Sequence, residues 1–174
     1  MIERKTGNIF ETKARFIVNP MDEAGQYLLK FNDTVADEYP HVMKEAMKFV
    51  GLMRKCGCFR EESVMQYVPA DVWAMPLGSV CTDSPRAETH PQPLDYDKDY
   101  RYIINWFILT GNNKSIAILE RNEFIICLQR MAFAVNNAGA SIAIPAEFLE
   151  LDKEHIIETL FNEKNPIVVE IWSE

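Results

Sequence analysis

The sequence has no cluster of lysine or arginine residues, and its formal net charge is -8 at pH 7. Non-specific binding of nucleic acid draws its affinity mainly from neutralised phosphates, so this function is disfavoured. No uninterrupted apolar run reaches the length of a membrane-spanning helix, and residues 1–5 carry no apolar core of a signal peptide. We therefore expect a cytoplasmic protein that does not contact membranes.

Cysteine is scarce, and its four positions are unevenly spread, which predicts reduced thiols rather than a disulfide framework. Cys56, Cys58 and Cys81 with His90 are four potential zinc ligands, but this spacing is not that of a standard zinc site. Free thiols near a helix end are the simpler interpretation. The sequence predicts no metal site and no cofactor.

Sequence motifs of common catalytic sites are also missing. There is no glycine-rich phosphate loop ending in Gly-Lys-Ser or Gly-Lys-Thr, and no serine or cysteine in a nucleophile-elbow pattern. His41 and His155 lie at helix boundaries or surfaces by pattern, so neither is a candidate for acid–base catalysis. We assign no catalytic residue from sequence.

The chain is long enough, at 174 residues with 48% hydrophobic, for one domain with a sizeable core. Strand-like apolar runs alternate with segments of helical spacing, which predicts an α/β fold with a mostly parallel or mixed sheet between helical layers. The predicted strands are a short first one ending at Gly7, then Phe16–Val18, Val64–Val68, Tyr100–Leu109, Ser141–Ile144 and Pro166–Trp172. The predicted helices are Asp22–Val35, Pro40–Cys56, Asn122–Val135 and Asp152–Asn162.

Residues 61–99 are the least regular part of the predicted single domain, 1–174. Five prolines interrupt the segment, yet it is too apolar for a solvated linker. We expect an ordered irregular insertion that is either a lid or a surface for a protein partner.

One early stretch points to a ligand site. The run Phe16–Val18 reads as a buried strand, and Asn19 and Pro20 follow it as strand-breaking residues. Open α/β sheets bind ligands beyond the carboxyl ends of their strands. The sequence therefore predicts Asn19 at the exit of the strand, near a site.

These residues also carry a resemblance. Residues 6–14 (TGNIFETKA) followed by residues 17–20 (IVNP) resemble the opening of a macro domain, the ADP-ribose-binding α/β module. The branch they resemble most contains the antitoxin-type glycohydrolases that remove ADP-ribose from DNA. Further similar segments follow in the family's order, at Glu38–Pro40, Tyr102–Asn105 and Ser141–Pro145. The resemblance implies a three-layer α/β/α fold with a central mixed, mostly parallel sheet.

The resemblance implies a set of ligand contacts. In the family a Gly-Asp-Ile turn contacts adenine, and Gly7, Asn8 and Ile9 occupy its place; Asn8 could bind adenine or simply support the turn. The family's Asn-x-x-Asn motif, whose second residue faces the distal ribose, corresponds to Asn19 and Asp22. Gly25 is what is left of the first phosphate loop. The implied ligand-binding residues are Gly7, Asn8, Ile9, Asn19, Asp22 and Gly25.

The chain departs from the family at both phosphate loops. Large side chains follow Gly25 through Lys30, so we predict that they close the first loop and extend the helix. Residues 145–151 lead almost directly into a helix where the family has a run of glycines. The side chains of Asp22, Glu23, Glu147 and Glu150 would give an acidic rim, which disfavours a diphosphate. The lysine and aspartate used by the antitoxin-type branch have no counterpart.

Three hypotheses follow from these observations. The first is a divergent macro-like domain that acts by binding a partner protein or an ADP-ribose-related nucleotide without catalysis, as an inhibitor or antitoxin-like module. The second is an active ADP-ribosyl glycohydrolase or ADP-ribose phosphatase that uses Asn8, Asn19 and Asp22, which requires a loop rather than a helix at residues 27–30. The third is a structural or assembly protein without a ligand.

Overall fold

The computed structural model describes residues 1–22, 24–56, 64–70, 77–80, 101–109, 141–150 and 167–174. In these ranges the strands are β1 (Ile2–Thr6), β2 (Phe16–Asp22), β3 (Val64–Pro69), β4 (Leu77–Val80), β5 (Tyr102–Leu109), β6 (Ser141–Pro145) and β7 (Val168–Ser173). The helices are α1 (Lys30–Glu38), α2 (Pro40–Cys56) and α3 (Ala146–Glu150), and a 3-10 turn spans Ile9–Glu11.

The seven strands of the described ranges form one sheet in the order β1-β7-β6-β2-β5-β3-β4. The pairs from β1 to β5 along this order are parallel, and β3 and β4 are antiparallel to their neighbours. All eight residues of β5 are buried, which explains why its sequence is apolar without alternation. The predicted α/β fold with a mixed, mostly parallel sheet is confirmed.

The predicted end of β2 at Asn19 is wrong, because the strand continues to Asp22. Asn19 lies in the middle of β2, where it pairs with Asn105 of β5. Proline removes a backbone donor and is tolerated where a strand lacks a partner on one side. Here β2 pairs with β6 only through Phe16 and Ile17. Pro20 lies past the end of this pairing, so its missing N–H removes no hydrogen bond to β6.

The predicted start of the first helix is also wrong. Residues 24–29 are not helical, and α1 begins at Lys30. Gly25 has a φ of +79°, which interrupts a helix, and the Asn32 Oδ1 atom accepts a hydrogen bond from the Leu29 N–H at 3.0 Å. Such local side-chain bonds fix a helix start. The second predicted helix, Pro40–Cys56, is confirmed.

Several predicted features lie outside the described residues. These are the helices at 122–135 and 152–162, together with the candidate zinc ligands Cys58, Cys81 and His90. Two parts of the 61–99 interval belong to the sheet as β3 and β4, and the insertion as a whole stays a prediction. In the part of the chain that is described, no helix is both long and apolar enough to cross a membrane.

Gly7 follows β1 with a φ of +119°, in agreement with the predicted tight turn. We expect Gly7→Ala to lower the free energy of unfolding by about 1–3 kcal/mol, because an L-residue is strained at this φ. A Cβ atom at Gly7 or Gly51 would meet nothing within 4 Å, so steric clash plays no part at either position. Gly51 lies in α2, and Gly51→Ala should raise stability by about 0.5–1 kcal/mol. Urea unfolding of both variants tests this, and a Gly7→Ala midpoint at or above the wild-type value would contradict the strain.

Candidate functional site

A cavity of about 680 Å³ opens at the carboxyl edge of the parallel strands. Its described lining comes from four segments: the turn after β1, one side of α1 along its whole length, the junction of β6 with α3, and the end of β7. The lining residues are Gly7, Asn8, Ile9, Phe10, Lys30, Phe31, Thr34, Glu38, Pro145, Ala146, Glu147, Glu150, Trp172, Ser173 and Glu174. Its volume is in the range of small-molecule sites, and its position is where open α/β sheets bind ligands.

The turn after β1 is held from both sides. Asn8 Oδ1 accepts a hydrogen bond from the Phe10 N–H at 3.0 Å and so caps the 3-10 turn. Arg101 donates to the carbonyl oxygens of Phe10 and Thr12 at 2.9 and 3.0 Å. Asn8 therefore supports the turn, and its contact with adenine stays a prediction.

Aromatic rings form part of the cavity wall. Phe10 stacks on Phe31 with 5.8 Å between ring centroids, and Tyr39 makes an edge-to-face contact with Phe10 at 5.0 Å. The Trp172 ring lines the cavity from β7, and its Nε1 atom donates to Glu170 at 2.9 Å. Rings held in this way can stack against a flat ligand group.

The start of α1 is occupied by a side chain of the protein itself. The two carboxylate oxygens of Glu147 accept hydrogen bonds from the backbone N–H groups of Lys30 and Phe31, each at 3.0 Å. The first N–H groups of a helix have no partner within the helix and attract anions. Glu147, which follows β6 at the start of α3, satisfies two of these donors.

The cavity is acidic, as the sequence predicted for its rim. Among the described residues, its lining includes the carboxylates of Glu38, Glu147, Glu150 and Glu174 and one amine, that of Lys30. The Lys30 Nζ atom is 2.6 Å from Glu174 Oε2, and this hydrogen bond raises the pKa of the lysine. Of the other predicted rim residues, Asp22 is not in the lining and Glu23 lies outside the described residues.

Three of the six ligand-binding residues predicted from the sequence lie at the cavity, and three do not. Gly7, Asn8 and Ile9 line the cavity, whereas Asn19, Asp22 and Gly25 do not. Asp22 is buried, and it caps the loop that follows: its Oδ2 atom accepts from the Gln26 N–H at 3.3 Å and its backbone oxygen from the Gly25 N–H at 2.9 Å. Asp22 and Gly25 therefore determine the conformation of the loop between β2 and α1.

Asn19 belongs to a buried row of amide side chains that sequence reasoning missed. It donates to Asn105 Oδ1 and accepts from Asn32 Nδ2, both at 2.8 Å, and Asn105 donates to Gln66 Oε1 at 3.1 Å. Asn19, Asn105 and Gln66 are in register on three neighbouring strands. The row reaches α1 because Asn32 also accepts from the Leu29 N–H. The sequence signal that could have revealed this row is the amide residue that interrupts the apolar run in each of the three strands.

No group of three or more histidine, cysteine or acidic side chains converges on a metal position among the residues that the structure describes. The candidate zinc ligands fall outside those ranges or, for Cys56, have no described side chain. The interpretation of these cysteines as free thiols therefore stays a prediction.

No protein-family model matches the chain, and no curated protein sequence matches it. Solved structures do. The macrodomain of Thermus aquaticus DarG superposes with a TM-score of 0.59 at 16% identity, covering 100% of this chain and 99% of its own. The macrodomain of Mycobacterium tuberculosis DarG gives 0.59 at 15% identity, with 100% and 98% covered. A macrodomain protein from Streptomyces coelicolor gives 0.53 at 12% identity, with 100% and 99% covered.

Proposed function

Because this chain has the macrodomain fold, we propose that it is a binding domain for an ADP-ribose-related nucleotide, with the ligand held in the cavity at the carboxyl edge of the parallel strands. The observation that carries the proposal is the coincidence of three features at this edge. A cavity of about 680 Å³ is present, the turn Gly7–Phe10 forms one wall, and aromatic rings lie beside it.

The adenine end of the ligand is assigned to the turn after β1. Asn8 is exposed, and its Nδ2 group and the second lone pair of its Oδ1 atom can serve the edge of a base. Phe31 and Trp172 supply flat apolar surface at the same cavity. Asn19, Asp22 and Gly25 act indirectly in this proposal, by positioning β2 and the loop that leads to α1.

We assign no catalytic residue. The hydrolase hypothesis required a loop at residues 27–30, and residues 24–29 are indeed not helical. However, two of the residues that this hypothesis uses, Asn19 and Asp22, are buried away from the cavity. Binding without hydrolysis is therefore the proposed activity, and incubation with ADP-ribosylated DNA tests it, since release of ADP-ribose would establish the hydrolase instead.

Calorimetric titration with ADP-ribose and with adenosine tests the binding proposal. We expect saturable binding of at least one of them, about tenfold weaker in Asn8→Ala, which loses both the base contact and the turn cap. The matched variant Asn8→Asp keeps an acceptor oxygen in both roles and should bind within a few-fold of wild type. Absence of heat with both ligands at millimolar concentration would contradict the proposal and favour a protein partner or a structural role.

A further inference from the structure

We propose that Glu147 is a built-in occupant of the anion-binding position at the start of α1, and that it makes the cavity select nucleoside-like ligands without a phosphate at this position. The ligand class rests on the proposed function. The occupancy by Glu147 rests on geometry alone.

The hydrogen bonds of Glu147 support the occupancy. One carboxylate presents its two oxygens to two successive backbone N–H groups, those of Lys30 and Phe31, at 3.0 Å each. This is the pattern with which a helix start holds a phosphate or carboxylate of a ligand. The Leu29 N–H beside them is bonded to Asn32 Oδ1 at 3.0 Å, so these three successive N–H groups are all satisfied within the chain.

The position of these groups links the occupancy to the cavity. Lys30, Phe31 and Glu147 are all cavity-lining residues, so a ligand phosphate that reached these N–H groups would have to displace the carboxylate. Glu150 and Glu38 line the same cavity and would repel a second anion there. A nucleoside brings a flat ring and hydroxyl groups instead of charge, which suits the aromatic wall and the acidic lining.

The neighbouring polar side chains, Asn32 and Lys30, do not bond to the two N–H groups that Glu147 satisfies. Asn32 serves only the Leu29 N–H among the first donors of the helix, and Lys30 Nζ is directed to Glu174. Removal of the Glu147 carboxylate therefore exposes two N–H donors to the cavity without removing the loop that precedes them. An added anion can then bind where the side chain was.

The occupancy is tested with inorganic phosphate as the probe and backbone amide NMR shifts as the readout. In the wild-type protein, the amide signals of Lys30 and Phe31 should not respond to millimolar phosphate. In Glu147→Ala, the same two signals should shift with a saturable dependence on phosphate concentration. This measurement needs no nucleotide, so it remains decisive if the binding proposal fails.

Glu150→Ala is the matched control, because Glu150 lies one turn further along the same short helix and lines the same cavity. The Glu150 side chain makes no hydrogen bond or ion pair in the described part of the chain, and the substitution removes the same charge. We expect Glu150→Ala to behave as wild type. An equal phosphate response in both variants would show a general charge effect and overturn the occupancy, as would an unresponsive Glu147→Ala.

Glu147→Gln guards against loss of α1 structure in the alanine variant. Glutamine keeps the shape and one acceptor oxygen but not the charge, so the phosphate response at Lys30 and Phe31 should be weaker than in Glu147→Ala and stronger than in wild type. If the alanine variant loses the α1 signals, the glutamine result decides alone. A glutamine variant as unresponsive as wild type would then overturn the proposal.

The ligand class is tested by the ratio of affinities for ADP-ribose and adenosine. We expect the wild type to prefer adenosine and Glu147→Ala to shift the ratio toward ADP-ribose by about tenfold or more, since two amide donors become available to a phosphate. Phosphate capture by the variant with an unchanged ratio would retain the occupancy but overturn the selection. Failure of both ADP-ribose and adenosine to bind would reject the proposed function and, with it, the ligand class.

Discussion

Replacing Asn105 by leucine is expected to lower the free energy of unfolding by about 3–5 kcal/mol, a large share of the total stability of a domain. The Asn105 side chain is fully buried in β5 and bonds to Asn19 on one side and to Gln66 on the other. Leucine fills a similar volume but leaves the amide of Asn19 and the oxygen of Gln66 without these partners. Each unsatisfied buried group costs about 1–3 kcal/mol.

Urea unfolding followed by circular dichroism measures this effect, and Ile103→Val is the matched control. Ile103 is equally buried two residues earlier in the same strand, and loss of one methyl group there should lower stability by only about 0.5–1.5 kcal/mol. If Asn105→Leu were no more destabilising than Ile103→Val, the amide row would contribute little, and its role in holding the sheet and helices together would be refuted.

The same row has a consequence for the cavity. Asn105 also donates to the Val42 carbonyl oxygen of α2 at 3.3 Å, and Gln66 donates to that of Glu45 at 3.2 Å, so the row fastens α2 to the sheet. At its other end Asn32 ties the row to the start of α1. The start of α1, where the proposed anion position lies, is thereby connected by hydrogen bonds through β2 and β5 to Gln66 of β3.

Glu170→Gln is expected to lower the free energy of unfolding by about 2–3 kcal/mol at neutral pH, and the difference from wild type should shrink in acid. Glu170 is buried in β7, where its carboxylate accepts from Thr12 Oγ1, from Lys5 Nζ at 2.7 Å and from Trp172 Nε1 at 2.9 Å. Burial by itself would raise the pKa of this carboxyl, but the three donors outweigh burial and leave the pKa below its ordinary value.

The sign of the pH dependence follows from that direction. A carboxyl whose pKa is lower in the folded state stabilises the fold fully above the pKa of the unfolded chain, about 4.3 for glutamate. The stabilisation is lost as the pH falls through the lower folded-state value. Glutamine cannot titrate, so the wild-type advantage should be complete at about pH 7 and diminish steadily below about pH 4.

Unfolding midpoints of wild type and Glu170→Gln across this pH range provide the measurement. Glu3→Gln is the control, because Glu3 contacts the same Lys5 amine at 3.2 Å but its side chain is 44% exposed. Exposed ion pairs contribute about 0–1 kcal/mol, so Glu3→Gln should remain close to wild type at neutral pH. A difference between wild type and Glu170→Gln that stayed constant from neutral pH into acid would contradict the titration of Glu170.

Much of the fold could be predicted because the patterns that indicate its helices and strands involve residues close together in the sequence. Proline at position 40 opens α2 where the helical spacing begins, and the unbroken apolar run at 102–109 forms a central strand buried along its whole length. Helix periodicity and strand composition depend on residues close in sequence. The turn at Gly7 was predictable for the same reason, since glycine permits the positive φ that it adopts.

The errors at β2 and α1 arose where distant residues decide the local structure. Pro20 did not end β2, because the strand's partners, not its own composition, determine whether a missing N–H matters. The bulky residues after Gly25 did not extend α1, because Asn32 and Glu147 fix the helix start at Lys30. Glu147 is 117 positions away from the N–H that it accepts from, and no local pattern reports such a contact.

The sequence by itself determined the α/β fold class and the order of most of the described elements, because these depend on composition and on short-range periodicity. The resemblance to the macro family pointed to the acidic side chains of Glu147 and Glu150 at the site. It also placed Gly7, Asn8 and Ile9 at the turn that lines the cavity. Only the tertiary structure decided that Asn19 lies in a buried amide row and that Glu147 closes the start of α1. Both depend on which strand ends and helix starts the sheet brings together, and that proximity arises from the packing of segments far apart in the chain.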